Sequence, residues 1–242
     1  NKNISFKTSK YFKNKIIFGF FSKTGGVSKK DFNSLNCGIY TKDKSKNINK
    51  NIKLALTALK LSNYKVIIAK QIHSNKIKLI DRNFNYKKRY KVDGFVTKKN
   101  NLALSILTAD CAPIFFYDFK RNIIGAAHAG WRGCLKNISS SVIVAMKKLG
   151  GKNSSIKAII GPCIYSNNYE VGEDFYNKFI KINKIYNKFF KKNKYNKYNF
   201  DLRGALKYQL KSLKIQNIAV KDGDTYKNKL RYYSHRRNYK AK

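Results

Sequence analysis

Apolar runs of strand length recur along the chain, separated by polar segments rich in Lys and Asn. The runs are KIIFGFF (15–21), KVIIAKQI (65–72), KIKLI (76–80), DGFVT (93–97), LALSILT (102–108), PIFFYD (113–118), IIGAAHA (123–129), IKAIIGP (156–162) and NIAVKD (217–222). Short apolar runs bounded by polar residues are typical of β-strands. The pattern therefore predicts a strand at each of these places.

Other segments carry apolar residues at a helical period. They are NINKNIKLALTALKL (47–61), LKNISSSVIVAMKKLG (135–150), GEDFYNKFIKI (172–182) and DLRGALKYQLKSL (201–213). The second of them runs into Gly150 and Gly151, and such a pair favours the end of a helix. Gly172 precedes a helix whose first residues are acidic, which suits either the helix dipole or an anion at its N-terminus.

Strands outnumber helices, and several neighbouring strands are close enough in sequence to form hairpins. This order predicts an α/β (α+β) fold, a compact single-domain sandwich of mixed β-sheets covered by helices. A length of 242 residues suits one large domain with a substantial core. We therefore expect residues 1–242 to form a single domain.

The charge of the chain is strongly positive, with 53 Lys and Arg residues against 12 Asp and Glu residues and a formal net charge of +41. A basic RNA-binding module is one interpretation. However, the basic residues are mostly Lys and are scattered along the whole chain, without an Arg-rich arm or zinc-finger spacing. Nucleic acid is therefore not the expected partner, whereas the positive field favours small anions such as phosphate.

Cysteine usage and hydropathy bear on location. The four Cys residues include no CxxC pair, and the apolar stretch IIFGFF near the N-terminus is too short to cross a membrane. We expect a cytoplasmic protein with reduced thiols and no membrane contact. The sequence gives no indication of the oligomeric state.

Residue types that are rare in this chain concentrate between Cys111 and Cys163, including the single Trp and both Pro residues. His73, Cys111 and His128 each follow or end an apolar run, where a strand would deliver them to one edge of a sheet. Imidazole and thiolate are good Zn²⁺ ligands, and three protein ligands leave one position for water or substrate. Packed structural residues, or a Cys–His nucleophilic pair, are alternative interpretations.

Charged residues near these segments are candidates for binding substrate or moving protons. Arg132 lies between Gly130 and Gly133 in AHAGWRG, a tight backbone that suits phosphate binding. Arg236 and Arg237 fit either an anion clamp or a solvated basic tail. Asp110 and Glu170 are candidate proton shuttles.

Taken in order, several segments resemble those of one family. They are TGGVS, FNSLNCG, QIHS, DGFVT, LTADCAPI, GAAHAGWRG, GPCIYSNNYEVG, FDLRGAL and YSHRR. The chain is similar to the laccase-domain family, once described as multicopper polyphenol oxidoreductases and now as zinc-dependent purine nucleoside phosphorylases or peptidoglycan editing factors. It departs from the family pattern at Asp224, where Cys is common, and at Asn238, where an acid is usual.

This resemblance implies that His73, Cys111 and His128 bind zinc within an α/β sandwich. It further implies phosphorolysis of adenosine and inosine to the base and ribose 1-phosphate, cleavage of 5′-methylthioadenosine, and adenosine deamination. Independently of the resemblance, Arg132 together with Arg236 or Arg237 could position phosphate through their positive charge. The partners would be a purine nucleoside and phosphate.

The number of His residues limits the metal chemistry. A four-copper oxidase needs on the order of ten His residues, and the chain contains three, so a multicopper cluster is excluded although copper could bind at the zinc site. A cytoplasmic hydrolase acting on a peptidoglycan precursor remains an alternative. It would use Cys111 as nucleophile and His128 or His73 as base.

Overall fold

The structure is a computed structural model that describes residues 4–8, 10–12 and 16–240. The strands are β1 (Phe6–Lys7), β2 (Phe20–Phe21), β3 (Lys65–Ile68), β4 (Ile77–Ile80), β5 (Gly94–Thr97), β6 (Leu102–Ser105), β7 (Ala112–Asp118), β8 (Ile123–Ala129), β9 (Ile156–Ile160), β10 (Glu170–Val171), β11 (Phe190–Lys192), β12 (Tyr198–Phe200) and β13 (Asn217–Val220). The α-helices are α1 (Ser45–Ala58), α2 (Trp131–Leu135), α3 (Ile138–Lys148), α4 (Glu173–Ile182), α5 (Leu202–Ser212) and α6 (His235–Lys240). Of the helices in the described ranges, none has the length and apolarity needed to cross a bilayer.

A six-stranded mixed sheet in the order β13–β9–β7–β8–β5–β4 forms the centre. The inner pairs β9–β7, β7–β8 and β8–β5 are antiparallel. The outer pairs β13–β9 and β4–β5 are parallel. The predicted α/β class with mixed sheets is confirmed. The parallel outer pairs need crossover connections rather than the hairpins that the short spacings suggested.

Side chains alternate across β7 and bury both faces of the central sheet. Ile114 and Phe116 belong to a large apolar cluster that also contains residues of α3 and α5. Phe115 and Tyr117 point the other way, into a cluster with Phe12 and other N-terminal aromatic residues. Helices therefore cover one face and the N-terminal segment covers the other, which is why this strand is apolar at nearly every position.

A parallel pair of strands, β3 and β6, packs beside the central sheet. Its predicted runs were longer than the observed strands, because the chain leaves the ladder after Ile68 and Ser105. Beyond this point the side chain of Gln71 replaces the backbone hydrogen bonds between the two strands. Its amide group donates to the carbonyl of Leu107 at 2.7 Å and accepts from the amide of Leu107 at 2.9 Å. This pairing ends the ladder and directs the next residues toward the sheet edge.

The predicted helices are confirmed, and α3 ends before the Gly pair, with Gly150 at φ +85°. Asn137 caps α3 by accepting from the Ser140 amide, and Asp201 caps α5 in the same way. The run KIIFGFF forms a strand only at Phe20–Phe21, paired with Phe6–Lys7. Its first residue, Lys15, lies outside the described residues.

Candidate metal centre

Strand pairing brings the predicted ligands to one end of the central sheet. Pro113 pairs with His128 and Ala112 with Ala129 across β7 and β8, so Cys111 lies next to Gly130. Across β5 and β8, Gly94 pairs with Ala127, which carries the start of β5 to the same end of the sheet. The loop between β3 and β4 adds His73 there.

The three side chains converge. The ligand atoms of His73, Cys111 and His128 all lie within 4.8 Å of one another, and the two imidazole rings are 4.8 Å apart at 77°. His128 is 3% exposed, Cys111 is half-buried, and His73 is exposed. The group is therefore anchored in the protein on one side and accessible from solvent on the other.

Gly130 makes room for this group. A Cβ atom added at Gly130 would lie 2.7 Å from the sulfur of Cys111 and 3.3 Å from Cδ2 of His73. Carbon atoms at optimal contact are about 3.5–4.0 Å apart. Two of the three predicted ligands thus occupy the space that any side chain at position 130 would need.

Asp93, which precedes β5, lies beneath the two His residues and is fully buried. Its Oδ1 accepts from Nδ1 of His128 at 2.9 Å and from the amide of His73 at 3.0 Å. Its Oδ2 accepts from the amide and hydroxyl of Ser74 at 2.6 and 2.7 Å, and from the amide of Ile72 at 3.3 Å. Every polar neighbour of this carboxylate is therefore a donor.

The electrostatics of the group favour charge separation. Burial opposes ionisation of Cys111, but hydrogen bonds from His128 and His73 lower the pKa of its thiol to about 7. Burial likewise opposes charging of His128, but Asp93 and Cys111 raise the pKa of its imidazole to about 9. Burial alone would raise the pKa of Asp93, yet the donors around it hold that pKa below its usual value.

The donor set fits a metal ion. Two imidazole nitrogens and one thiolate are ligands that zinc takes in tetrahedral sites, where bonds of about 2.0–2.3 Å bring ligand atoms to about 3.5 Å from one another. The observed limit of 4.8 Å exceeds that spacing by about 1.3 Å. The three residues therefore form a group that could hold a metal ion.

Asp110 precedes Cys111, and its carboxylate is hydrogen-bonded to the C-terminal segment. It accepts from the hydroxyls of Thr225 and Ser234 at 2.7 and 2.9 Å, and from the amide of Arg236 at 2.7 Å. Its backbone has φ +100°, a conformation that non-glycine residues rarely adopt. These bonds tie the C-terminal segment to the residue beside Cys111.

Arg237 directs its guanidinium at the backbone. It donates to the carbonyl oxygens of Thr225, Tyr226 and Tyr232 at 2.6–3.0 Å. The side chain of Arg236 donates to the carbonyl of Glu170 at 2.7 Å and lies 5.2 Å from the ring of Tyr169. Arg237 thus holds the C-terminal segment together, and Arg236 ties it to β10.

The side chains of the two remaining candidates, Arg132 and Glu170, make other contacts. Arg132 is exposed, and its guanidinium lies 4.6 Å from the ring centre of Trp131. The carboxylate of Glu170 accepts from Asn193 at 3.0 Å and from Lys197 at 3.3 Å.

Asp93 was missed by sequence reasoning, although one signal pointed to it. It directly precedes a strand, GFVT, whose four residues are all buried. An acid at such a place must find donors. The sequence could not show that the donors come from residues 72–74 and 128.

A mixed β-sheet covered by helices, with a half-exposed His/Cys/His group at one end, defines an α/β protein with a candidate three-ligand metal centre. We call His73, Cys111 and His128 the metal-type group. Residues 17–241 match the family described as multi-copper polyphenol oxidoreductase laccase, and the chain belongs to this family. Its three His residues are too few for the four-copper chemistry of that description.

Similar proteins carry a different name. A purine nucleoside phosphorylase of Rickettsia conorii is 36% identical over 176 residues, which cover 72% of this chain and 71% of that protein. The purine nucleoside phosphorylase YlmD of Bacillus subtilis is 30% identical over 233 residues, covering 92% and 84%. The crystal structure of the hypothetical protein YfiH of Bacillus licheniformis superposes with a TM-score of 0.85 at 30% identity, covering 91% and 87%.

Proposed function

We propose that this chain is a cytoplasmic, zinc-dependent purine nucleoside phosphorylase. Its substrates are adenosine or inosine, with 5′-methylthioadenosine as a further substrate, and inorganic phosphate. An oxygen of phosphate forms a bond to C1′ of the ribose while the bond from C1′ to the purine nitrogen breaks. Adenosine and inosine give ribose 1-phosphate, 5′-methylthioadenosine gives 5-methylthioribose 1-phosphate, and in each case the free base takes up a proton. Deamination of adenosine is a second activity of the same centre, in which water replaces the amino group at C6 and the products are inosine and ammonia.

One observation carries this proposal: the convergence of His73, Cys111 and His128 within 4.8 Å at a solvent-accessible sheet edge. It is supported by the relatives in Rickettsia and Bacillus, which are named purine nucleoside phosphorylases. The four free thiols agree with a reducing compartment.

The three candidate ligands differ in their exposure to solvent. His128 and Cys111 provide the buried side of the centre, and His73 provides the exposed side. Zinc held by these three residues would act as a Lewis acid. Arg132 is exposed on the first turn after the strand that carries His128. Its charge there suits holding phosphate near the reacting carbon, so we centre phosphate binding on Arg132.

The test is incubation of the purified protein with inosine and phosphate, with hypoxanthine release followed by absorbance. We expect release that depends on phosphate, stops with a zinc chelator and returns with added zinc. Cys111→Ala should abolish release. Cys37→Ala is the matched control, since Cys37 is half-buried and lies outside the metal-type group. Hypoxanthine release that persists in the Cys111 variant would refute the proposal.

A hydrolase with Cys111 as nucleophile is the second candidate. It is favoured by the pKa of about 7 for the thiol beside an imidazole whose pKa is about 9, a combination typical of Cys–His pairs. The expected substrate is a peptidoglycan precursor. Purified protein without metal, hydrolysing such a precursor and inactivated by alkylation of Cys111, would support this candidate over the phosphorylase.

A further inference from the structure

Asp93 contacts both His residues of the metal-type group, by different routes. Its carboxylate accepts a hydrogen bond from Nδ1 of the His128 side chain and another from the backbone amide of His73. Its own carbonyl also accepts the amide of His128, at 2.7 Å. One buried residue is thus bonded to two candidate ligands that lie 55 positions apart in the sequence.

The bond to His128 fixes which ring nitrogen is free. An ionised carboxylate can only accept hydrogen bonds, so Nδ1 of His128 carries the proton. In the neutral ring the lone pair is then on Nε2, the atom left to bind a metal. A buried carboxylate behind a metal-binding His holds the ring orientation and makes the ring a stronger ligand.

The bonds to the 72–74 segment fix the backbone of His73. His73 has φ +56°, in the left-handed region, which is a strained conformation for a non-glycine residue. The consecutive amides of Ile72, His73 and Ser74 all point at the carboxylate of Asp93. Successive amides that converge on an anion form a stable loop conformation. The charge of Asp93 therefore offsets the strain that places the His73 side chain.

We propose that Asp93 is the positioning residue of the metal centre, holding His128 by its side chain and His73 by its backbone so that both are in place before a metal arrives. This inference rests on the proposed function, because it concerns the same centre. One carboxylate then fixes the positions of two of the three candidate ligands.

The test is zinc affinity, measured by competition with a chromophoric chelator, in the wild type and in Asp93→Asn. The substitution keeps the shape but turns one acceptor oxygen into an NH₂ group that faces N–H donors. We expect the dissociation constant to rise about 10- to 100-fold, the usual effect of removing such a partner. The absorption spectrum of the Co²⁺-loaded variant should also change, because the ligand angles change.

Asp118→Asn is the matched control. Asp118 is equally buried, and its carboxylate accepts from the amides of Lys120, Arg121 and Lys152. It sits at the other end of β7 from Cys111. This variant should lose stability but keep zinc affinity within about threefold of the wild type, and keep the Co²⁺ spectrum.

The outcomes separate the inference from the proposed function. Zinc binding in the wild type with equal affinity in Asp93→Asn overturns the inference and leaves the phosphorylase proposal standing. A wild type that binds no zinc overturns both. If Asp93→Asn does not fold, Ser74→Ala decides, because it removes one donor to Asp93. A two- to tenfold loss of zinc affinity supports the inference, in line with one hydrogen bond, and an unchanged affinity overturns it.

Discussion

The substitution Gly130→Ala tests the packing of the metal centre directly. The new methyl group would lie 2.7 Å from the Cys111 sulfur, about 1 Å inside normal contact. Gly130 cannot retreat easily, because its carbonyl accepts the Cys134 amide that starts α2. The sulfur must therefore move, which changes its distance from the ring nitrogens of His73 and His128. Overpacking of this kind costs about 1–3 kcal/mol, so zinc affinity should fall about 5- to 150-fold.

Gly172→Ala is the control for this substitution. Gly130 and Gly172 both precede a helix with extended backbone, at φ −77° and φ −81°, so both variants lose the same kind of N-cap residue. An added Cβ at Gly172 meets nothing within 4 Å. Chelator competition with zinc, together with thermal melting, measures both variants. Unchanged zinc affinity in Gly130→Ala, or an equal loss in Gly172→Ala, would refute the packing argument.

Three further predictions concern the thiol, the loop packing and the charge. In zinc-free protein, alkylation of Cys111 should accelerate as pH rises through about 7, because thiolate predominates above the pKa; a midpoint near the ordinary value of about 8.5, read by mass spectrometry, would contradict this. Asn51→Ala should lower the free energy of unfolding by about 2–4 kcal/mol, because the buried Asn51 amide makes four hydrogen bonds; denaturant titration showing a loss no larger than that of Asn47→Ala would contradict it. Raising NaCl from about 0.1 M to about 1 M shortens the screening length from about 10 Å to about 3 Å, so the melting temperature should rise as repulsion within a chain of net charge +41 weakens; a fall would show that this repulsion does not limit stability.

Local pattern carried most of the information about the elements. The length of the apolar runs and the polar residues that bound them located β7, β8 and β9, and the Gly pair located the end of α3. The parallel pairing of β4 with β5 and of β9 with β13 was not predictable in the same way. It depends on which strands meet after the crossovers, and no local feature of KIKLI or NIAVKD encodes its neighbour.

In the candidate site, too, some residues could be predicted from the local sequence and others could not. His73, Cys111 and His128 stand out in the sequence because their types are rare and end apolar runs. Asp93 and Gly130 act through neighbours that are distant in sequence. Asp93 accepts hydrogen bonds from the amides of a loop about 20 residues earlier. Gly130, which has no side chain, leaves room for the sulfur of Cys111. Asp110 illustrates the converse. Its position beside Cys111 predicts proton transfer, and this stays a prediction, but its hydrogen-bond partners more than 100 residues later in the chain could not be read from the sequence.

The hairpin that joins β7 to β8 has its two ends in very different surroundings. The candidate ligands lie at the open end, whereas residues 119–122 form an exposed turn at the closed end. Strands of seven residues separate the two by about 20–25 Å. That turn is therefore the natural place to insert an affinity tag or a fluorescent reporter, or to open the chain for circular permutation, while the chemistry at the far end continues undisturbed.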